Sequence, residues 1–576
     1  MHPMLLDIAR EFVFQTVYYF SQRETEILRR FFTNTEKRVF FIHTLPANVG
    51  AGLIAMYSRI KNTRGLRGVF VDRFLPEFLA STSVVTEEKF GGDPTKALAH
   101  FNVVSIETFE TNFPGGKELL DQFLNAISVD PDYLEEFAQG EKIKKFLSRW
   151  LDQYGHNSIA RAGSMWVCYE QISILAAKSL EWGRPGSAYI ELSTRYVDMS
   201  GKNCYPIEKE LRILGVSEEL VFNLLDESFK RYRNWQGENF SGPFPQFLRD
   251  TYGKYFTEAP KDLESGVIGE TCDVLGNFLP AATLTSVGVA ISGEAFPELI
   301  KHLLLDETPE NYALVELTLQ EAKKVGGDQF ARHYEPSEWK KASWEYLSTD
   351  RFAPYRGQVG IISADILPQE AAEEILLDSF RYRKKFAHCQ NFAEVLEMLK
   401  EVDRQSHDKL WNDFEEITAS CSGLMTFRGH RDLQRMSFNM HLRTLLTPYL
   451  GFYRYDKPAP KIFLEDCEQF HSLGERAYSE MEQLNVSPIL MQYPLALGNL
   501  IGFRSSANLL QWEFCNWQRS KFSVNHEVRQ VFLGMEERLS HRYRWWGNIS
   551  RADIVSGYIF ARGSKGIPLD ALCSSV

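Results

Sequence analysis

The chain has no C-x-x-C pair. Its eight cysteines, Cys168, Cys204, Cys272, Cys389, Cys421, Cys467, Cys515 and Cys573, are scattered, which excludes a disulfide framework and a thiolate zinc site. His388 beside Cys389, and Cys467 four residues before His471, read as chance neighbours rather than reactive pairs. Basic residues are in deficit, with 64 Lys and Arg against 76 Asp and Glu and a net charge of -12. That balance excludes generic affinity for nucleic acid or anionic membrane and leaves room for a local basic pocket. RYRKKF at 381 to 386 and HRYRWW at 541 to 546 read as solvated helix faces. No apolar run approaches the roughly 18 to 20 residues that span a bilayer. MHPMLLDIAREF lacks the order of a signal peptide, so a cytoplasmic protein is expected. There is no glycine-rich phosphate loop. NHEVRQ at 525 to 530 starts like a zinc-protease helix but has Gln530 where the second histidine must stand.

What is present is a soluble composition, 44% apolar and 24% charged over 576 residues, enough for two to four domains at roughly 150 residues each. One stretch stands out, SAYIELSTRYVDMS at 187 to 200. If it is extended, Glu191, Ser193 and Arg195 share one face and can converge on one polar object. A nucleotide fits such a face, its phosphate taking the guanidinium and its base edge the carboxylate and hydroxyl. A solvated strand face with a local Glu-Arg pair is the alternative. Around this stretch, 116 to 154 reads as helical, GHNS at 155 to 158 as a turn with Ser158 as N-cap, and 159 to 182 as a buried helix ended by GRPG. Residues 279 to 304 read as a loop or broken strand leading into a helix. Residues 331 to 358 read as a connector. Beyond it come a strand and a proline-marked acidic helix at 359 to 386, a helix over 405 to 430 stopping at the Arg-rich turn FRGHRDLQRMSFN, and a segment at 490 to 532. That segment repeats the order of elements in the first half, which predicts an internal duplication.

GHNSIARAG at 155 to 163, the apolar segment after it, and SAYIELSTRY at 187 to 196 resemble the flavin-dependent thymidylate synthases, the ThyX family. IAMYSRI at 54 to 60, TLTSVGVAISGEAFPELIKHLL at 283 to 304, FRGHRDLQR at 427 to 435 and NLLQWEFCNWQRSKFSVNHEVR at 508 to 529 carry weaker likenesses. The resemblance implies an α/β fold of the α+β type, with two tandem ThyX-like domains at 1–345 and 346–576. Each would be a small mixed or antiparallel sheet packed with long helices, the second copy degenerate. It further implies reductive methylation of dUMP to dTMP, with FAD as cofactor, NADPH and methylenetetrahydrofolate as co-substrates, and no nucleophilic cysteine.

Departures from the family pattern divide between the halves. Trp182, Gly183 and Arg184 stand where the family has Arg-His-Arg, Arg161 and Ala162 where it has Glu-His, and Glu294 where it has a flavin-contacting arginine. The second half lacks the Glu-x-Ser-x-Arg loop but holds Arg428, His430 and Arg431, and also Arg519, which lines up with the arginine the family sets against the pyrimidine. The resemblance thus implies one shared site in a homodimer that mimics the family's tetramer. Glu191, Ser193, Arg195 and Arg519 would bind substrate, Ser193 and Arg519 would be catalytic, and Arg184, Arg428, His430 and Arg431 would hold flavin. His156 is expected to fix its own turn. Two other readings stay open: a catalytically retired nucleotide-binding scaffold, and a flavin-dependent modification of another pyrimidine.

Overall fold

Eight short strands build two separate sheets, with Val39–Ile42, Ser164–Ser173, Leu284–Ser292, Thr418–Thr426 and Leu500–Asn508 buried along most of their length. In the computed structural model the described residues are 3–45, 47–58, 62–81, 89–127, 134–135, 139, 144–145, 148, 157–182, 185–193, 199, 201–436, 438–561 and 566–570. They divide into two units. One holds Met1–Val197, Asn203–Ile213 and Ala282–Trp344; the other holds Asp198–Lys202, Leu214–Ala281 and Glu345–Val576. The fold is α/β, with one four-stranded antiparallel sheet and a set of helices in each unit.

In the first unit the strands are β1 (Val39–Ile42), β2 (Ser164–Ser173), β3 (Ser187–Glu191) and β4 (Leu284–Ser292), in the order β1-β2-β4-β3. Helices α1 (Gln22–Leu28), α2 (Ile174–Leu180), α3 (Phe296–Leu305) and α4 (Pro309–Lys324) accompany them. A core of Phe31, Phe32, Phe40, Leu53, Phe70, Leu79 and Phe109 is sealed from water. The register of β2 against β4 slips between Tyr169 and Ile172, where Gln171 has φ 56°. This bulge re-aims its neighbours, and Glu170 points into the unit with no exposed surface.

In the second unit the strands are β5 (Gly360–Asp365), β6 (Thr418–Thr426), β7 (Met440–Arg443) and β8 (Leu500–Asn508), ordered β5-β6-β8-β7. Its helices include α5 (Pro260–Leu275), α6 (Gln369–Arg381), α7 (Phe427–Gln434), α8 (Leu509–Arg519) and α9 (His526–Arg542). Phe380, Phe414, Trp512, Phe532 and Trp546 lie in its core.

The two sheets share one topology, and one side-chain device recurs in both. Ser173 ends β2, caps α2 by accepting from Ala176 N–H, and sits opposite Leu284 on β4. Thr426 ends β6, caps α7 by accepting from Gly429 N–H, and sits opposite Leu500 on β8. A glutamate two residues past the N-cap of the unit's last long helix grips each cap. Glu310 accepts from Ser173 N–H (2.8 Å) and Oγ–H (2.6 Å). Glu527 accepts from Thr426 N–H (2.5 Å) and Oγ–H (2.8 Å). The repeat of order anticipated between the halves is therefore present in hydrogen-bond detail.

Two expectations are corrected. Residues 159 to 182 are not one helix: Asn157–Ala162 is a short helix with Ser158 inside its first turn, and β2 and then α2 follow. Residues 405 to 430 likewise contain β6 rather than a helix, and FRGHRDLQ is helix α7 rather than a turn. In both places a central strand buried on both faces runs directly into a capped helix, so neither periodicity shows in the sequence. The proline-marked helix α6, preceded by β5, and the β4 to α3 passage stand as expected.

Candidate functional site

In the first unit the polar stretch is placed by the breaker before it. Gly186 has φ 81°, and a Cβ there would meet Ser292 Oγ at 2.6 Å, so glycine is what lets β3 lie against β4. Pairing runs from Ser187 opposite Ile291 to Glu191 opposite Val287, and Leu192 N–H still donates to Ser286 O at 2.8 Å. The motif's carboxylate therefore ends an edge strand. Glu191 is 4% exposed and accepts a long hydrogen bond from Thr285 Oγ1 at 3.4 Å. Ser193 follows it, half-buried. Arg195 and Arg184 lie outside the described residues, as does His156.

Two departures from the family pattern compensate one another. Arg161 donates to Glu294 from Nε (2.5 Å) and Nη2 (3.0 Å), a bidentate pair that neutralises the carboxylate where a flavin-contacting arginine is expected. Trp182, at the start of the altered triplet, stacks on His302 at 4.7 Å and meets Trp344 edge-on at 5.1 Å. That position serves packing.

In the second unit, the basic residues of α7 differ in burial along the helix, its first turn being buried and Arg431 less so. Arg428 is 7% exposed and donates from Nη2 to Asp273 Oδ1 (3.0 Å) and, at 3.4 Å, to Cys272 O, both on α5. Gly276 makes room for it, since a Cβ there would come within 2.7 Å of Arg428 Nε. Burial works against the Arg428 charge and Asp273 more than restores it. His430 has no exposed surface. Arg431 is half-buried, at the last turn. Beside it Asp432 accepts from Arg435 Nη2 at 2.6 Å and stands 3.8 Å from Arg519 Nη1, at the end of α8.

The structure thus gathers Arg431, Asp432, Arg435 and Arg519, three cations and one carboxylate, at the adjoining ends of α7 and α8. Arg428 and His430 are buried in the first turn of α7, Arg428 held by Asp273. Asp432 and Arg435 were missed in the sequence, although their i, i+3 spacing on a helix was a usable signal. Asp273 and Thr285 carried no signal at all, because each is made relevant only by packing. Burial pushes the Cys421 and Cys515 thiols up to about 12 and raises those of Cys168 and Cys467 as well. Cys389 is buried beside Met398. Cys168, Cys421, Cys467 and Cys515 are thus held away from the thiolate. Among the described residues there is no group of three or more His, Cys, Asp or Glu suited to a metal ion, and no helix long and apolar enough to cross a membrane.

A UPF0159 protein of Chlamydia pneumoniae is 24% identical over 550 residues, covering 90% of this chain and 92% of its own length. A second, from Chlamydia muridarum, is 24% identical over 567 residues, covering 90% and 93%. The UPF0159 protein Ta1429 of Thermoplasma acidophilum is 25% identical over 460 residues, covering 70% of this chain and 89% of its own length. Residues 118–325, which include β2, β3, β4 and the Glu191 stretch, match the family model Thy1, thymidylate synthase complementing protein. Through that region the chain is similar to the Thy1, or ThyX, family.

Proposed function

We propose that the protein is a thymidylate synthase-like enzyme that methylates deoxyuridylate reductively, with FAD as cofactor and NADPH and methylenetetrahydrofolate as co-substrates, acting as a homodimer. The observation that carries this reading is the Glu191 stretch, set at the end of an edge strand inside the segment that matches Thy1. In the net reaction a ring carbon loses a proton and gains the folate's methylene together with a hydride. No side chain supplies a hydride, so a flavin fed by NADPH is the chemistry required. The raised thiols of Cys168, Cys421, Cys467 and Cys515 suit a route in which the protein polarises the ring instead of attacking it.

The residues proposed for flavin fit unevenly. Arg428 held by Asp273, His430 without exposed surface, and Glu294 paired to Arg161 do not fit a flavin phosphate as placed. Arg431 retains surface to offer. On the substrate side, Arg519 holds a fixed positive charge that Asp432 only partly offsets at 3.8 Å, as is needed against charge developing on a pyrimidine carbonyl. Glu191 and Ser193 orient the nucleotide, and Arg195 holds its phosphate or a ring oxygen.

The test uses the purified full chain. A yellow flavin spectrum, and release of tritium from ring-labelled deoxyuridylate that requires NADPH and the folate, are expected. Arg519→Ala lowers that release by about 10²- to 10³-fold with an unchanged melting temperature. Colourless protein releasing no label overturns the reading in favour of a nucleotide-binding scaffold, which the burial of Arg428 and His430 favours. Yellow protein releasing no label points to a different pyrimidine substrate.

A further inference from the structure

A cavity of about 860 Å³ lies in the first unit, with no residue of the Glu191 stretch in its lining. It opens around the segment leading into β1, and β1 and β3 are the two opposite edges of the first unit's sheet. Its walls are the chain before α1, α1 itself, the turn at 33 to 37, and Lys324 at the end of α4.

The turn is built from the interior outward. Glu170 and Arg67, both with no exposed surface, pair at 3.3 Å, and Tyr57 OH and Leu66 N–H also donate to Glu170, each at 2.7 Å. Arg67 in turn donates to Asn34 Oδ1 (2.9 Å), Asn34 O (3.1 Å) and Lys37 O (2.8 Å). Asn34 Oδ1 also accepts from Glu36 and Lys37 N–H, and Asn34 Nδ2 donates to Val39 O at 2.7 Å. Lys324 Nζ donates to Thr33 O at 3.0 Å. A buried ion pair thus holds a five-residue turn in one conformation, which is how a binding surface is preorganised.

Into this cavity the chain puts Arg29, Arg30 and Lys37. Arg29 and Arg30 form no ion pair among the described residues, in contrast to Arg23, whose charge is met by Glu110 and Asp121. Glu26, Glu36 and Glu135 also line the space; of its cations Arg23 is paired with Glu110 and Asp121 and Lys324 with Glu321, so the charge left for a ligand is that of Arg29, Arg30 and Lys37. Tyr19 stands at the mouth 81% exposed, with Phe20 beside it. Burial lowers His43 to about 4, so its ring is neutral at pH 7 and offers a hydrogen bond instead of charge. Two arginines without carboxylate partners, a lysine and an exposed aromatic ring on a rigid rim match one ligand chemistry: a ring-bearing polyanion. The guanidinium forks would take a diphosphate, and the Tyr19 face would take the base.

We propose that this cavity is a second nucleotide site, selective for a nucleoside diphosphate, at the sheet edge opposite the Glu191 stretch. The test is isothermal titration of the full chain with ADP at low salt, and with inorganic pyrophosphate as competitor. Saturable ADP binding that weakens with added salt is expected, with pyrophosphate competing less well than ADP. Reversing both charges (Arg29→Glu with Arg30→Glu) weakens ADP binding by about a hundredfold or more. The neutral pair Arg29→Gln with Arg30→Gln, compatible with any exposed position, weakens it in the same direction. Tyr19→Ala weakens it about tenfold, and Glu191→Gln, on the far edge strand, leaves it unchanged. Absence of saturable ADP binding, or binding indifferent to both arginine pairs, overturns the site. An unchanged Kd in Tyr19→Ala, or pyrophosphate binding as tightly as ADP, overturns the selectivity for a nucleoside.

Discussion

Replacing Glu310 by glutamine tests whether the clamp on the β2 to α2 turn holds the first unit together. Both partners are sealed from water, Glu310 at 0% and Ser173 at 0% exposure. The carboxylate accepts two hydrogen bonds, 2.8 Å from Ser173 N–H and 2.6 Å from its hydroxyl. An amide of the same shape can accept only one of them, and its own NH2 then faces a donor. One buried donor is left unmade, a loss of about 1–3 kcal/mol. The remaining bond also gives up its charge assistance, so the total comes to about 2–4 kcal/mol. The loss is local first, because Ser173 also caps α2 through Ala176 N–H. Hydrogen exchange read by mass spectrometry should show faster exchange over 164 to 180, and the urea midpoint should fall. Glu527→Gln should do the same over 418 to 434 and leave 164 to 180 unchanged. If neither the 164 to 180 amides nor the midpoint respond to Glu310→Gln, the clamp contributes nothing and the reasoning fails.

Two further perturbations probe buried charge in the first unit. Arg67→Met leaves Glu170 buried without its cation and should cost about 3–5 kcal/mol, seen as a lowered denaturation midpoint and as faster exchange at the 34 to 37 turn that Arg67 holds; an unaltered turn would contradict the preorganisation argued for the cavity. Burial raises Glu210 from 4.5 to about 8, against the lowering effect of the bond from Tyr205 OH, with Glu310 adding to the rise. Because the folded form then holds its proton more tightly than the unfolded chain, stability should fall as pH rises from about 4.5 through about 8, by at most about 1.4 kcal/mol per pH unit. Glu210→Gln should flatten urea midpoints across that range, and equal slopes in the two proteins would remove Glu210 as the cause.

Residues that make secondary structure by local chemistry could be read from the sequence. Pro368 before α6, the GRPG breaker and the β4 to α3 passage announced themselves through turn residues. Strands β2 and β6 did not, because they are the second strands of their sheets and are covered on both faces. In β2 the bulge at Gln171 breaks the alternation further. The polar motif that begins at Glu191 was visible by its period of two, but β3 ends at Glu191, Ser193 lies beyond the strand and Arg195 lies outside the described residues. The unequal burial of Arg428, His430 and Arg431 was invisible, because three basic residues in a row of four look alike until packing covers the first turn of the helix. NHEVRQ shows the same limit. Judged against a zinc protease it contained nothing, whereas in the fold Asn525 caps α9, Glu527 grips Thr426, and His526 pairs with Asp456 at 2.7 Å.

The two units keep one scaffold and fill it differently. In each, a strand ends in a hydroxyl residue that caps the next helix and is held by a glutamate from the unit's last long helix. The helices so capped then diverge. All seven residues of α2 are buried, six of them apolar or hydroxylic and one a lysine, Lys178. Helix α7 instead carries Arg428 and His430 in its buried first turn. An arginine can be buried there because Asp273 of α5 receives it and Gly276 leaves it space, and α5 comes from the segment 214 to 281 that packs with the second unit. Arg428→Leu should therefore be tolerated only when Asp273 is removed with it. The single change leaves the Asp273 carboxylate, 5% exposed, without its cation and should cost about 3–5 kcal/mol, while Arg428→Leu with Asp273→Asn should recover most of that loss. Additive losses in such a double-mutant cycle would show that Arg428 is held for some other partner, and a ligand phosphate would then return as the candidate.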